Sequence, residues 1–204
     1  MNVTKPVIAV DIDDVLSDTV PAFLAFTNKK WGLNVTAQDY NEHLAVMWKT
    51  SEEEAKKRVL DFHDSGMSTS YKHDETALPV LEELSKKYTL VIVTSRRKHL
   101  AEMSRAWLET HYPGVFSDIY FAGIWDTDVD AQTKNSMTKA NICSEIGAKY
   151  LIDDQPKHCE AAAEVGITCL LFGNYPWNKM FREDQNITRV IDWRAVGDYF
   201  NAKS

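Results

Sequence analysis

The sequence predicts an α/β fold: a doubly wound parallel sheet with a small helical cap inserted after its first strand. Three observations carry this. Continuous apolar runs recur at strand length, the pattern of strands covered on both faces. Helical patterns separate those runs, so the strands connect by right-handed crossovers. One interval, from Val20 to Asp74, holds no strand candidate at all.

Taken in order, "PVIAVDI" is the first strand. Three helix-like segments follow, "VPAFLAFTNKKWG", "TAQDYNEHLAVMWK" and "SEEEAKKRVLDFHDSG". The last has a serine cap and opposite charges at helical spacing. This is far more chain than a crossover requires, so residues 20–74 are read as a cap subdomain and residues 1–19 and 75–204 as the core. Leu78, Leu81 and Leu84 share a helix face before the second strand, "TLVIVTS". Leu100, Met103, Trp107 and Leu108 mark the next helix, before the strand "DIYFAG". "KYLIDD" and "ITCLLFG" are the fourth and fifth strands. The helices "TKANICSEIGA" and "PKHCEAAAEVG" run to a glycine, the usual helix stop. "ITRVIDWRAVGDYF" closes the chain with a short strand or turn and a helix.

A chain of 204 residues can bury a sizeable core. Its formal charge of -7 argues against a passive grip on nucleic acid, though not against small anions held in a local positive pocket. Cys143, Cys159 and Cys169 are odd in number and lack C-x-x-C spacing, so they are read as buried hydrophobes rather than disulfides or zinc ligands. There is neither a signal-like segment nor an apolar run of membrane length, which suits a reduced, cytoplasmic protein. The sequons at Asn2, Asn34 and Asn186 then carry no weight.

In open α/β sheets, ligands sit beyond the carboxyl ends of the strands. Asp11 and Asp13 follow the first strand, Thr94 and Ser95 the second, and Asp153 and Asp154 the fourth. Lys139 opens the helix that leads into the fourth strand; its rival Lys134 lies in a polar loop. Crowded carboxylates are a hard-oxygen site suited to Mg²⁺. Hydroxyls, backbone N–H groups and an ammonium are phosphate ligands. An aspartate can attack phosphorus, and a second acid two residues on can protonate the departing oxygen and later activate water. Acids this close tolerate one another when a divalent cation and a lysine share the site.

A calcium loop at "DIDD" fails, because Leu16 stands where glycine is required and no glutamate closes the loop. Asp126, Asp128 and Asp130 read as a solvated loop, since Ala131 also lacks that glycine. Either Asp154 or Gln155 could cap the following helix, which leaves open which of Asp153 and Asp154 ligates a metal. The six histidines show no metal or triad spacing. Phe23, Trp31, Tyr40, Trp48, Phe62 and Tyr71 read as the core of the cap, with one or two available to stack on a base.

"DIDDVLSDT", "VIVTS", Lys139 and "LIDD" resemble, in order, the four motifs of the haloacid dehalogenase superfamily of phosphatases. That resemblance implies a Rossmann-like core and Mg²⁺. It implies Asp11 as nucleophile and metal ligand, and Asp13 as acid/base with its backbone carbonyl on the metal. Thr94 and Lys139 hold the phosphoryl group, with Ser95 beside them, and Asp153 and Asp154 complete the metal site. Asp13 speaks against true dehalogenase chemistry, whose members lack that second acid. The position of the cap, the "TSR" of the second motif and the late "NYPWN" resemble the 5'(3')-deoxyribonucleotidase family, which hydrolyses nucleoside monophosphates. The chain departs from that family at Asp14, where many members have glycine. It departs again at Thr19, where the mammalian enzymes carry an aromatic, and in the longer loop "GIWDTDVDAQTKNS". The expected partner is a small phosphorylated substrate, with neither stable nucleic-acid binding nor a membrane; a homodimer is compatible with this. The rivals are a phosphatase for another small metabolite and a non-catalytic binder of phosphorylated ligands.

Overall fold

The computed structural model describes residues 5–122 and 138–203, apart from residues 42, 68, 69, 183 and 185. Six strands form one sheet: β1 (Val7–Val10), β2 (Thr89–Thr94), β3 (Ile119–Phe121), β4 (Ala148–Asp153), β5 (Thr168–Phe172) and β6 (Ile187–Val190). Their order is β3-β2-β1-β4-β5-β6, and every neighbouring pair is parallel. This is the doubly wound α/β architecture that the alternation of runs implies.

Strand side chains alternate between faces, and both faces here are apolar. Ile8, Val10, Leu90, Ile92, Ile152 and Leu170 pack in one layer. They meet Leu81 and Leu84 of α4 (Ala77–Lys87), Trp107 of α5 (Ala101–His111), and Trp193 and Phe200 of α8 (Trp193–Asn201). Ala9, Val91, Val93, Leu151 and Leu171 pack in the other layer. There they meet Cys143 of α6 (Lys139–Glu145) and Cys159 of α7 (Pro156–Glu164). All three cysteines are buried and free.

Between β1 and α4 lie α1 (Thr19–Trp31), α2 (Leu44–Met47) and α3 (Glu52–Asp64). The segment 36–49 has a helical pattern, yet only four of its described residues form a helix. Local side-chain bonds compete with the helix there. Asp39 accepts hydrogen bonds from the Thr36 N–H at 2.8 Å and the Thr36 hydroxyl at 2.7 Å, and Asn41 Oδ1 accepts from the His43 N–H at 2.8 Å. The rings of this insert pack on one another, Phe23 on Phe62 at 4.9 Å and Trp48 on Phe23 at 5.5 Å. They belong to the same apolar cluster as one face of the sheet, so the insert is welded to the core rather than tethered.

The strand order reverses between β1 and β4, which opens a crevice at their carboxyl ends. Val10 lies opposite Ile152, and the Asp11 N–H donates to the Ile152 carbonyl at 3.0 Å. Asp11 and Asp153 therefore emerge side by side.

Candidate active site

Lys139 is the first residue of α6, whose cap Thr138 accepts a hydrogen bond from the Asn141 N–H at 3.2 Å. Its side chain is 1% exposed, and Nζ lies 2.7 Å from Asp11 Oδ2 and 2.6 Å from Asp153 Oδ2. Asp11, Asp153 and Asp154 are all buried, and an oxygen from each lies within 4.8 Å of the others. Ionising all three carboxylates against one ammonium would leave two negative charges in excess. An interior does not hold uncompensated charge. Asp11 Oδ1, moreover, is buried without a hydrogen-bond partner among the described residues. An all-oxygen donor set with that excess and that orphaned oxygen fits a hard divalent cation.

The electrostatics agree. Burial pushes the Asp11 carboxyl up to about 7; Lys139 pulls against it, while Asp153 and Asp13 add to the rise. Burial, with Asp153 and Asp14 nearby, likewise holds Asp154 well above the usual carboxylate range. Burial alone would lower Lys139, but Asp11 and Asp153 outweigh it and keep the ammonium charged.

Asp13 has a different partner. Arg96 grips it with a two-pronged fork, Nε to Oδ2 at 3.0 Å and Nη2 to Oδ1 at 2.7 Å. The Thr19 hydroxyl also donates to Oδ1, at 2.6 Å. Burial would raise the Asp13 carboxyl, but the charge and hydrogen bonds of Arg96 overcome it and the result lies below the usual range. Arg96 is itself tied to Ser104 Oγ at 3.2 Å and lies over the Tyr71 ring at 5.3 Å. Its place in "TSR" marked it as a family feature, but its partner is 83 positions away and invisible in sequence.

Asp14 adopts φ 56, the left-handed region where glycine is favoured and aspartate tolerated. Both of its carboxylate oxygens accept from the Val20 N–H, at 3.1 and 3.2 Å. Asp14 thus caps α1, whose N-cap residue Asp18 makes no side-chain cap bond. That accounts for an aspartate at a position suited to glycine.

Thr94 ends β2 next to β1 and Ser95 follows it, but they face differently. Thr94 is fully buried, and its Oγ1 accepts from the Arg96 N–H at 3.2 Å. Ser95 lines the cavity above the acids, with Oγ 3.4 Å from His158 Nε2. Burial pushes His158 down to about 3, so it is neutral near pH 7. His158 has no sequence signal beyond its place after "LIDDQP". Asp154 caps nothing. Its Oδ2 accepts from Trp177 Nε1 at 2.6 Å and Gln155 Nε2 at 2.9 Å, while the Gln155 N–H goes to Asp153 Oδ1 at 2.9 Å.

The cavity measures about 590 Å³, ample for a small ligand. Asp11, Asp13, Ser95, Arg96, Lys139 and Asp154 form its floor; Phe23, Tyr40, Phe62 and Tyr71 of the insert line its other wall. Trp48 is buried behind Phe23 and does not line it. Asp126, Asp128, Asp130 and Lys134 lie outside the described residues. Among the described residues, no helix is long and apolar enough to cross a membrane.

Residues 5–128, well over half of the chain, match the family model of the 5' nucleotidase, deoxy (pyrimidine), cytosolic type C protein. A protein of Staphylococcus epidermidis described as a candidate 5'(3')-deoxyribonucleotidase is 26% identical, over 98% of each chain. Among solved structures, a haloacid dehalogenase-like hydrolase family protein from Streptococcus pneumoniae superposes with a TM-score of 0.69 at 16% identity, covering 98% of this chain and 100% of that one. A haloacid dehalogenase-type hydrolase of Bacillus subtilis, bound to magnesium, has a TM-score of 0.62 at 13% identity, with the same coverage. At such identities these two structures speak for the fold.

Proposed function

Because the chain belongs to the 5' nucleotidase, deoxy (pyrimidine), cytosolic type C family, and so is a nucleotidase-like phosphoric monoester hydrolase, we propose that it is a magnesium-dependent enzyme of deoxyribonucleoside monophosphates. The observation that carries this reading is Asp11: one carboxylate oxygen on Lys139, the other buried and unpartnered, at the floor of a cavity sized for a small ligand.

In this reading Asp11 attacks phosphorus. The Asp11 O–P bond forms as the ester P–O bond breaks. Lys139 and the Ser95 hydroxyl hold the phosphoryl oxygens, and Thr94 acts through the turn that its hydroxyl closes. Asp13 gives a proton to the departing oxygen, then takes one from the water that hydrolyses the aspartyl-phosphate. An Asp13 paired with Arg96 carries no proton, so its part as acid requires that fork to open. A phosphate dianion entering the cavity competes for Arg96 and is the group able to open it. Asp11, Asp153, Asp154 and the Asp13 carbonyl would hold Mg²⁺, which supplies charge neutralisation for the phosphoryl oxygens. Residues 20–74 act as the cap that excludes water and presents rings to the base.

The test is phosphate release from deoxyribonucleoside 5'- and 3'-monophosphates, a sugar phosphate and a small alkyl phosphate, with and without Mg²⁺. The expected result is metal-dependent release that favours the nucleotides. Equal rates on all substrates would reduce the enzyme to a general phosphatase, and no release from any would leave a binding protein.

A further inference from the structure

The loop after β5 uses an unusual amount of bonding to fix one tryptophan. Asn178 donates from Nδ2 to the carbonyls of Phe172 and Asp154, both at 2.9 Å, and its Oδ1 accepts from the Tyr175 N–H at 3.0 Å. Arg189 of β6 donates to the Gly173 carbonyl at 2.8 Å and the Asn178 carbonyl at 2.7 Å. The Tyr175 hydroxyl donates to the Asp14 carbonyl at 2.8 Å, which ties this loop to the one after β1. Between these anchors the Trp177 ring stacks on Tyr175 at 4.6 Å, with an interplanar angle of 8°, and meets Tyr40 of the insert at 5.1 Å. Its indole N–H points at Asp154 Oδ2, 2.6 Å away.

We propose that Trp177 is a positioning residue for the cation: its indole N–H, with the Gln155 amide, fixes the Asp154 carboxylate so that it can complete the ligand set of Asp11 and Asp153. Both donors fall on the same oxygen, which sets the direction of the carboxylate plane toward the other two acids. Donors behind a ligating carboxylate commonly change metal affinity by about 10–100-fold. An indole can donate but never accept, and it carries no charge that would compete with the ion. Because one face of the ring touches Tyr40, the same residue links the insert to the affinity for the cation. This inference rests on the reading of the acid cluster as a cation site.

The experiment is calorimetric titration of Mg²⁺ into the full-length protein, without substrate, for wild type, Trp177→Phe and Tyr175→Phe. The phenyl ring preserves the stacking and deletes the N–H. Trp177→Phe is expected to weaken binding about tenfold or more while keeping the cation-free melting temperature near that of wild type. Tyr175→Phe loosens the same loop without touching Asp154, and should stay within about twofold of wild type. Equal affinity for Trp177→Phe and wild type overturns the role of Trp177 and leaves the cation site standing. Equal losses in both variants also overturn it, since loop order rather than the N–H would then be responsible. A wild type that binds no Mg²⁺ overturns the cation site itself.

Discussion

On the floor of the cavity, directional polar bonds hold each acid: Lys139 on Asp11, Arg96 and Thr19 on Asp13, Trp177 and Gln155 on Asp154. Across from it, Phe23, Phe62 and Trp48 are held by ring packing, and the buried Trp48 Nε1 finds no hydrogen-bond partner among the described residues. The two materials respond differently to change. Hydrogen bonds weaken steeply once distance or angle is lost, so the floor keeps its geometry until a ligand competes for one of the partners, as a phosphate would for Arg96. Apolar packing tolerates swaps of similar volume, so the insert can change its side chains without unfolding. On the proposed function, chemistry belongs on the rigid side, and selection among substrates on the side that can vary.

The hardest blow to this contrast comes from Asp11→Asn. If the floor performs the chemistry, kcat should fall about 10⁴-fold or more for every substrate alike, as when other covalent nucleophiles are removed. Circular dichroism should stay that of wild type. Substantial turnover by a folded Asp11→Asn protein would place the nucleophile elsewhere.

Asp13→Asn should cost less, about 10²–10⁴-fold, the usual share of general acid–base catalysis. Phosphoenzyme formation from nitrophenyl phosphate should suffer less than from an alkyl phosphate, because nitrophenolate leaves without a proton. Equal losses would make Asp13 a structural partner of Arg96 only.

A third test uses pH. Without a cation, burial raises Asp11 from 3.8 to about 7, so the folded protein binds that proton more tightly than the unfolded chain does. Through this group, the cation-free fold loses stability as pH rises from about 4 to about 7. Magnesium must displace this proton and the one that burial favours on Asp154, so its apparent affinity should fall at least about tenfold per pH unit below about 7. The gain in melting temperature on adding Mg²⁺ should therefore grow between pH 5 and pH 7. His63 and His158 lie at about 4 and about 3 and work in the opposite sense, adding stability as pH rises toward 6.5. They act with and without the cation, and so drop out of the difference. A gain that is flat across this range would mean that the cation does not compete at Asp11.

What could be read from sequence follows the same division. The sheet was legible because strands buried on both faces are written as continuous apolar runs, and their order placed Asp11, Asp153 and Lys139 on one rim. The grip of Arg96 on Asp13 and of Trp177 on Asp154 was not, because each joins residues far apart in the chain with no periodicity between them. "TSR" and "NYPWN" stood out as patterns without partners. The segment 36–49 misled because its spacing suits a helix, while Asp39 and Asn41 bond to nearby backbone instead. The sequence favours Thr94 over Ser95 as the phosphate ligand, yet Thr94 is fully buried and Ser95, just past the strand end, is the one that lines the cavity.

The smallest expected effect, and the one that decides whether the insert reads the substrate, comes from its rings. Phe23 lines the cavity; Trp48 lies behind it, 5.5 Å from its ring, and does not. Stacking on a base is worth about 1–3 kcal/mol, or roughly tenfold to a hundredfold in preference over a substrate without a ring. Phe23→Ala should therefore lower kcat/KM for a nucleotide relative to a small alkyl phosphate by that factor. Trp48→Ala should lose about 3–5 kcal/mol of stability through the cavity it leaves, with that ratio unchanged. Tyr71→Ala is less clean, since its ring also meets Arg96 and so touches both sides of the cavity. The two clean variants thus pull apart a ring that contacts the substrate and one that only supports it. If Phe23→Ala leaves the ratio where it was, the insert is packing without recognition, and preference for a nucleotide would have to come from the floor.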